Sequence, residues 1–311
     1  MTFKKPISEI QLILILGGMY DATAPLPSPA SSFAKFQKMP EDTVPAGCAV
    51  SSGARWVVTE KVHGANFSLL LRGPHHETVF CKRSGEIPAG ENFYAFRSQG
   101  LPEKLAGPGD RLFADLQGRL GEGGLAVVAV QVYGELFGGH YPHPDVSPVP
   151  GLLPVQRGIW YSEHLEFIAF DVAVIATRGG GGGGQVEERF NLAWGDARAC
   201  CEAAGMPFTQ PLAIGPLSDM LDFPIVFEST IHQLLGLPPL GALGQTNVAE
   251  GVVVRPADGG GGGGGGGGRA GGAVVVGGVT LIPDVNKDRA GRVVSRGLFK
   301  RKIEAFNERQ M

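Results

Sequence analysis

Lys61 lies in the string Thr59-Glu60-Lys61-Val62-His63-Gly64-Ala65-Asn66-Phe67, between two runs of strand-forming residues. A lysine becomes a nucleophile when it is fixed, partly desolvated and close to other cations, so that the attacking amine is neutral. A free lysine titrates near 10.4, so the neutral form at pH 7 costs roughly 4–5 kcal/mol, which burial and neighbouring Lys or Arg can supply. Gly64 would let backbone approach a ligand closely. Taken alone, Lys-x-x-Gly fits a lysine on a surface hairpin equally well. Glu135 and Glu250 stand at the ends of apolar strands, where an acid is costly to bury unless it is paired or bound to a cation. Lys300 and Lys302 flank Arg301, and the period of a strand puts both lysines on one face; the bland alternative is a solvated basic strand.

These groups need elements to hold them. Trp56 to Val58 and Phe67 to Leu71 read as strands around a turn at His63-Gly64-Ala65-Asn66, with a further short strand from Val79 to Arg83. Leu101 to Leu120 has helical spacing, with a break expected at Pro108 and Gly109. Leu125–Phe137, Leu165–Ile175, Val248–Val254 and Val293–Lys302 read as strands, Asn191–Ala204 as an amphipathic helix and Ser229–Leu235 as a short one. Residues 140–158 form a Pro-rich loop; its cluster His140, Tyr141, Pro142, His143 and Pro144 reads as a rigid loop rather than a metal site, because no third ligand is evident. Residues 1–32 read as a disordered leader and 33–311 as one domain, punctuated by glycine tracts at 179–184 and 259–268 that behave as flexible loop insertions. The second tract contains G-x-G-x-x-G only by arithmetic, and there is no P-loop, so ATP binding would use other chemistry.

Six segments, in order, carry a resemblance: Glu60-Lys61-Val62-His63-Gly64-Ala65-Asn66-Phe67-Ser68, Cys81-Lys82-Arg83-Ser84-Gly85, Tyr133-Gly134-Glu135-Leu136-Phe137, Phe167-Ile168-Ala169-Phe170-Asp171, Ala249-Glu250-Gly251 through Pro256, and Phe299-Lys300-Arg301-Lys302 with Phe306 and Glu308. Together they resemble the motifs of the RNA ligase 2-like family of ATP-dependent polynucleotide ligases, which includes phage RNA ligase 2 and the RNA-editing ligases. The resemblance implies an α+β nucleotidyltransferase domain, ATP-grasp-like, with antiparallel sheets flanked by helices and ATP in the cleft between. It implies that Lys61 takes AMP from ATP, that Glu60 seats the adenine through its backbone, and that Phe170 stacks on the base. Asn66 and Arg83 would contact sugar or phosphates, with the planar guanidinium suited to phosphate. Glu135 and Glu250 would hold the ribose and a divalent metal, Mg²⁺ or Mn²⁺. Lys300 and Lys302 would grip the α-phosphate and favour the attacking form of Lys61. His63 would assist nucleotidyl transfer, and Asp171 would orient other groups or sit near the metal. The implied partners are RNA ends, above all nicked duplexes, and a partner protein could supply the C-terminal domain that the phage relative carries after its paired lysines.

Bulk properties bound these readings. Hydrophobic residues make up 43% and charged residues 18%, with a net charge of −3, which argues against a coat of positive charge for nucleic acid. A local exception is Lys287 to Lys302, with seven Lys or Arg and one acid, expected to neutralise a polynucleotide backbone. The four cysteines form no C-x-x-C pair, so a reducing, intracellular compartment is expected. No apolar run approaches the roughly 20 residues of a membrane span. Lys4, Lys5 and the run Ile10–Leu16 weakly resemble a targeting segment, interrupted by Glu9 in the approach. Two alternatives stand beside an RNA ligase: a DNA ligase or capping-type nucleotidyltransferase, disfavoured by the absence of room for a barrel after Lys302, and an inactive RNA-binding or scaffold homologue.

Overall fold

The computed structural model describes residues 33–45, 53–73, 77–178, 187–258, 273–284 and 296–306. The leader, both glycine tracts and the basic residues 287–292 lie outside them. Two antiparallel sheets face each other. The smaller has four strands, in the order β12 (Phe299–Lys302), β9 (Gly251–Pro256), β1 (Trp56–Glu60) and β8 (Pro211–Gly215). The larger has eight: β10 (Val274–Val276), β11 (Val279–Pro283), β7 (Glu187–Leu192), β6 (Ser162–Arg178), β5 (Leu125–His140), β2 (Ala65–Arg72), β3 (Glu77–Lys82) and β4 (Gly85–Glu86). The α+β class with antiparallel sheets and flanking helices is therefore as the sequence implied.

The strands alternate because each larger-sheet strand serves two environments. On β5, Val130, Val132 and Leu136 enter the main core, while Gln131, Tyr133 and Glu135 point to the opposite face. Helix α1 (Leu101–Glu122) covers the core face with Leu101, Leu105, Leu112, Phe113, Leu116 and Leu120, spaced to form one apolar stripe. Helix α2 (Trp194–Ala203) adds Trp194, Ala197, Cys200 and Cys201 to the same core. Two short helices, α3 (Leu217–Leu221) and α4 (Ile231–Leu234), follow β8.

The structure departs from the sequence reading at four of the expected elements. The last strand, expected over Val293–Lys302, starts only at Phe299, and Arg296 to Leu298 lie outside it. Helix α1 runs through Pro108 without ending; the apolar stripe on both sides of Pro108 outweighs the local cost of a proline, roughly 3 kcal/mol. Helix α2 starts at Trp194, because Asn191 and Leu192 extend β7. Strand β9 starts at Gly251, and Val248 forms only an isolated bridge with Glu228. A continuous α1 leaves the Lys104 carbonyl without its helical donor, so Pro108→Ala should raise stability by about 1–3 kcal/mol in urea unfolding. A decrease would mean that the helix needs the proline to turn there.

Candidate active site

A cleft of about 530 Å³ opens between the sheets. It is lined by ten of the residues that the motifs single out, Glu60, Lys61, His63, Asn66, Arg83, Glu135, Phe170, Glu250, Lys300 and Lys302, while Asp171 is not part of the lining. The smaller sheet and its flanking loops contribute the lysines, Glu60 and Glu250, and the larger contributes Asn66, Glu135 and Phe170, with Arg83 just beyond β3.

The loop that bears Lys61 is fixed from three directions. The Lys61 N–H donates to the Gly251 carbonyl at 2.9 Å. The His63 N–H donates to the Tyr161 hydroxyl at 2.9 Å, and Gln156 Nε2 donates to the Gly64 carbonyl at 3.0 Å. Glu60 turns its carboxylate away from the loop, accepting from Ser229 Oγ at 2.6 Å and from Thr230 N and Oγ1 at 2.7 and 2.9 Å. Burial raises its pKa against those hydrogen bonds. With its side chain tied down, Glu60 offers the cleft its backbone. Gly64 is required by close approach: a Cβ there would collide with the Leu136 carbonyl oxygen.

Glu250 is the hub. Lys61 Nζ lies 2.6 Å from Oε2, Lys302 Nζ 2.7 Å from Oε1, and His63 Nδ1 3.2 Å from Oε2. Burial opposes ionisation of Glu250, but His63, Lys61 and Lys302 outweigh it and lower the pKa to about 2. Its neighbour Gly251 has φ 149° and sits so close to β12 that a Cβ would meet the Arg301 carbonyl. That contact brings Lys302 opposite Gly251 and within reach of Glu250. Lys300 and Lys302 do share the cleft face; Arg301 points away and donates to the Phe223 carbonyl at 2.9 Å. Glu135, paired in register with Asn66, stands on the other wall. Burial pushes it up to about 7, with attraction from Lys61 pulling down and repulsion from Glu250 adding to the rise. A cation placed beside it would favour the ionised form.

Among the described residues no group of three or more His, Cys, Asp or Glu side chains is arranged to hold a metal alone. Glu135 and Glu250 fit the different pattern of magnesium, which takes one or two carboxylates and completes its shell with phosphate oxygens and water. His143 and His140 belong to no such group either: His143 Nδ1 accepts from the Asp145 N–H at 3.2 Å, and His140 rests edge-on against Trp160.

Phe170 stands half-buried in the cleft wall, and the next residue, Asp171, is fully buried. Asp171 orients other groups: Arg255 Nη2 lies 2.5 Å from Oδ2 and Arg296 Nη1 2.9 Å from the same oxygen. Arg255 also donates to the Phe170 carbonyl at 2.8 Å. The described part of the basic C-terminal stretch makes internal ion pairs, Arg296 with Asp171, Lys300 with Glu41 and Lys302 with Glu250.

Residues 54–266 match the family model described as RNA ligase. The chain belongs to the RNA ligase family. It is 30% identical over 260 residues to RNA-editing ligase 1, mitochondrial, of Trypanosoma brucei brucei, covering 74% of this chain and 52% of the relative. It is also 30% identical over 224 residues to RNA-editing ligase 2, mitochondrial, of strain 927/4 GUTat10.1 of that organism, covering 67% and 50%. The chain spans about half the length of these curated relatives. A solved Naegleria gruberi RNA ligase with PPi aligns over 99% of this chain and 64% of that chain, at 11% identity and a TM-score of 0.45, too distant to carry side chains across. The family match ends before Lys300 and Lys302; their place in the cleft comes from the pairing of β12 with β9.

Several residues carried no motif signal of their own: Phe36 and Gln156, which line the cleft, and Tyr161 and Arg296, which brace its walls through His63 and Asp171. Arg255 had one that could have been used, since an arginine inside an apolar strand needs a buried acid, and Asp171 stands inside another apolar strand.

The depressed pKa of Glu250 has a pH consequence. Its charge contributes stability above its ordinary value of 4.5, and that contribution is lost as pH falls toward 2. In denaturant titrations the stability gap between the parent and Glu250→Gln should be full above about pH 4.5 and close toward pH 2. A gap that does not change with pH would show that Glu250 is not held ionised by its neighbours.

Proposed function

We propose that the chain is an ATP-dependent RNA ligase whose Lys61 takes AMP from ATP, passes it to a 5′-phosphate end and leaves that end activated for attack by a 3′-hydroxyl. The observation that carries the reading is the shared buried carboxylate, Glu250, between Lys61 and Lys302 at the floor of a cleft with an aromatic wall. A triphosphate entering this cleft would compete with Glu250 for both lysines. Lys61 Nζ, free of its proton, would attack the α-phosphorus; the N–P bond forms as the bond to pyrophosphate breaks. Lys302 and Lys300 would neutralise charge on the transferring group, and nucleotidyl transfer depends chiefly on such positioning and neutralisation. Asn66 and Arg83 would contact sugar or phosphates, and Phe170 would stack on the adenine beside the Glu60 backbone. Glu135 and Glu250 would hold a divalent cation, Mg²⁺ or Mn²⁺, which would orient the phosphates and offset their charge. A terminal 5′-phosphate oxygen would then displace the lysine from the adenylate, and a 3′-hydroxyl oxygen would attack the activated phosphate and release AMP.

RNA ends, particularly at nicks, are the proposed polynucleotide substrate; the family and the editing-ligase relatives support this. Exposed Arg83 and Lys38 at the cleft are the cations available to a backbone phosphate. A site within an organelle is consistent with the relatives named as mitochondrial, and among the described residues no helix is long and apolar enough to cross a membrane.

With α-labelled ATP and a divalent cation, the parent should acquire covalent label that pyrophosphate removes. Lys61→Ala should acquire none, and Lys302→Ala should label at least about 100-fold more slowly. Parent protein that is folded and takes no label would sink the reading. Binding to a nicked RNA duplex should weaken by an order of magnitude or more between about 50 and 200 mM salt; salt-independent binding would rule out phosphate contacts as its source.

A further inference from the structure

Residues 33–42, which contain none of the motifs, touch both walls of the cleft. At one end Ala34 is clasped by the larger sheet. Its N–H donates to Gln131 Oε1 at 3.1 Å, and its carbonyl accepts from Gln131 Nε2 at 3.1 Å and from the Tyr133 hydroxyl at 2.9 Å. At the other end the segment holds the edge strand of the smaller sheet. The Lys300 N–H donates to the Pro40 carbonyl at 3.0 Å, the Asp42 N–H donates to the Lys300 carbonyl at 2.9 Å, and Glu41 lies 3.3 Å from Lys300 Nζ. Between these ends Phe36 meets Phe170 edge-on at 4.9 Å and Tyr133 at 5.1 Å, with the Arg296 guanidinium 5.5 Å from its ring centre. Gln37 Oε1 accepts from Arg296 Nε at 3.2 Å.

We propose that this segment is a strap that couples the nucleobase wall at Phe170 to the phosphate-facing Lys300, and that Gln131 and Tyr133 are the positioning residues that hold it. The proposal rests on the reading of the cleft as an ATP site. The physical case is one of closely spaced restraints. The segment is held at Ala34, at Phe36, at Gln37 and again at Pro40 and Asp42, so few unrestrained residues remain to absorb a shift of Phe36 before it reaches Lys300. Gln131 is fully buried and uses both ends of its amide on one strap residue, which fixes register as well as position. A base seated on Phe170 would press on Phe36, and the clasp would pass that load to Lys300 instead of letting the segment drift.

Gln131→Leu and the milder Tyr133→Phe test this with two readouts. In amide hydrogen exchange without nucleotide, protection should fall in peptides covering 34–42 and 298–302 and change elsewhere only beside Ser68 and Arg189, the other partners of Gln131 and Tyr133. In auto-adenylation with ATP, KM should rise about tenfold with kcat altered much less, the effect of loosening a binding element by a few hydrogen bonds. Exchange that rises throughout the chain would make the two residues ordinary core and overturn the proposal. Loosening at 34–42 with 298–302 still protected would also overturn it, as would an unchanged KM in a variant whose strap is loose. A parent that takes no AMP would sink the ATP reading instead, and the exchange experiment would still decide whether the clasp reaches Lys300.

Discussion

A carboxylate with 2% of its side chain exposed stays ionised only where cations and hydrogen-bond donors replace its water, and Glu250 has Lys61 at 2.6 Å and Lys302 at 2.7 Å. That requirement reaches into the backbone. Lys61 follows β1, Glu250 precedes β9 and Lys302 ends β12, so three neighbouring strands must align for one side chain to be solvated by protein. Gly251 makes the alignment close enough, since any Cβ there would push β12 and its lysine away. The same pairing that stabilises the cleft draws together the cations that a phosphate would meet in the proposed reaction. The chemistry of the site and the stability of the smaller sheet are thus two uses of one cluster.

A second buried cluster does the corresponding work on the far side. Asp171 has no exposure and binds Arg255 and Arg296 through one oxygen. Burial lowers the pKa of Arg255, and Asp171 restores part of what burial removes. Removing the acid would leave two cations without compensation, a far larger loss than any surface pair suffers. This cluster joins β6 of the larger sheet to β9 of the smaller, directly behind Phe170. The strand that carries the aromatic wall is thus tied by charge to the smaller sheet as well as packed on the apolar core.

Part of the candidate site was legible in local patterns with a physical meaning of their own, while Asn66, Arg83 and Phe170 were singled out only through the family resemblance. Lys61 stands in a glycine turn, Glu135 and Glu250 end apolar runs, and Lys300 and Lys302 alternate. What the sequence hides is pairing across distance. Nothing near Asp171 names Arg296, and nothing near Phe36 names Phe170, because those contacts are made by folding and not by spacing. The α+β class came from the family resemblance and the first strands from strand-forming runs around a turn, yet β8 and the hairpin of β10 and β11 were not anticipated; they are short, and β8 is only partly buried. The break expected at Pro108 failed for a related reason. Local propensity argued for an end, and an apolar stripe continuing to Leu120 carried the helix on.

The smaller sheet pairs β1 with both β8 and β9, strands far from it in the sequence. Closing such contacts means bringing distant segments together before any reward is gained, and chains rich in non-local pairings fold slowly for that reason. The larger sheet, whose β2, β3 and β4 and whose β5, β6 and β7 are sequence neighbours paired in succession, can form from hairpins. The order of assembly this favours is a preformed platform on which the lysine-bearing sheet closes last. The pairing of Lys61 and Lys302 with Glu250 would then arrive with the final folding event, and a chain caught short of it would present an aromatic wall and Glu135 but no lysine cluster facing them.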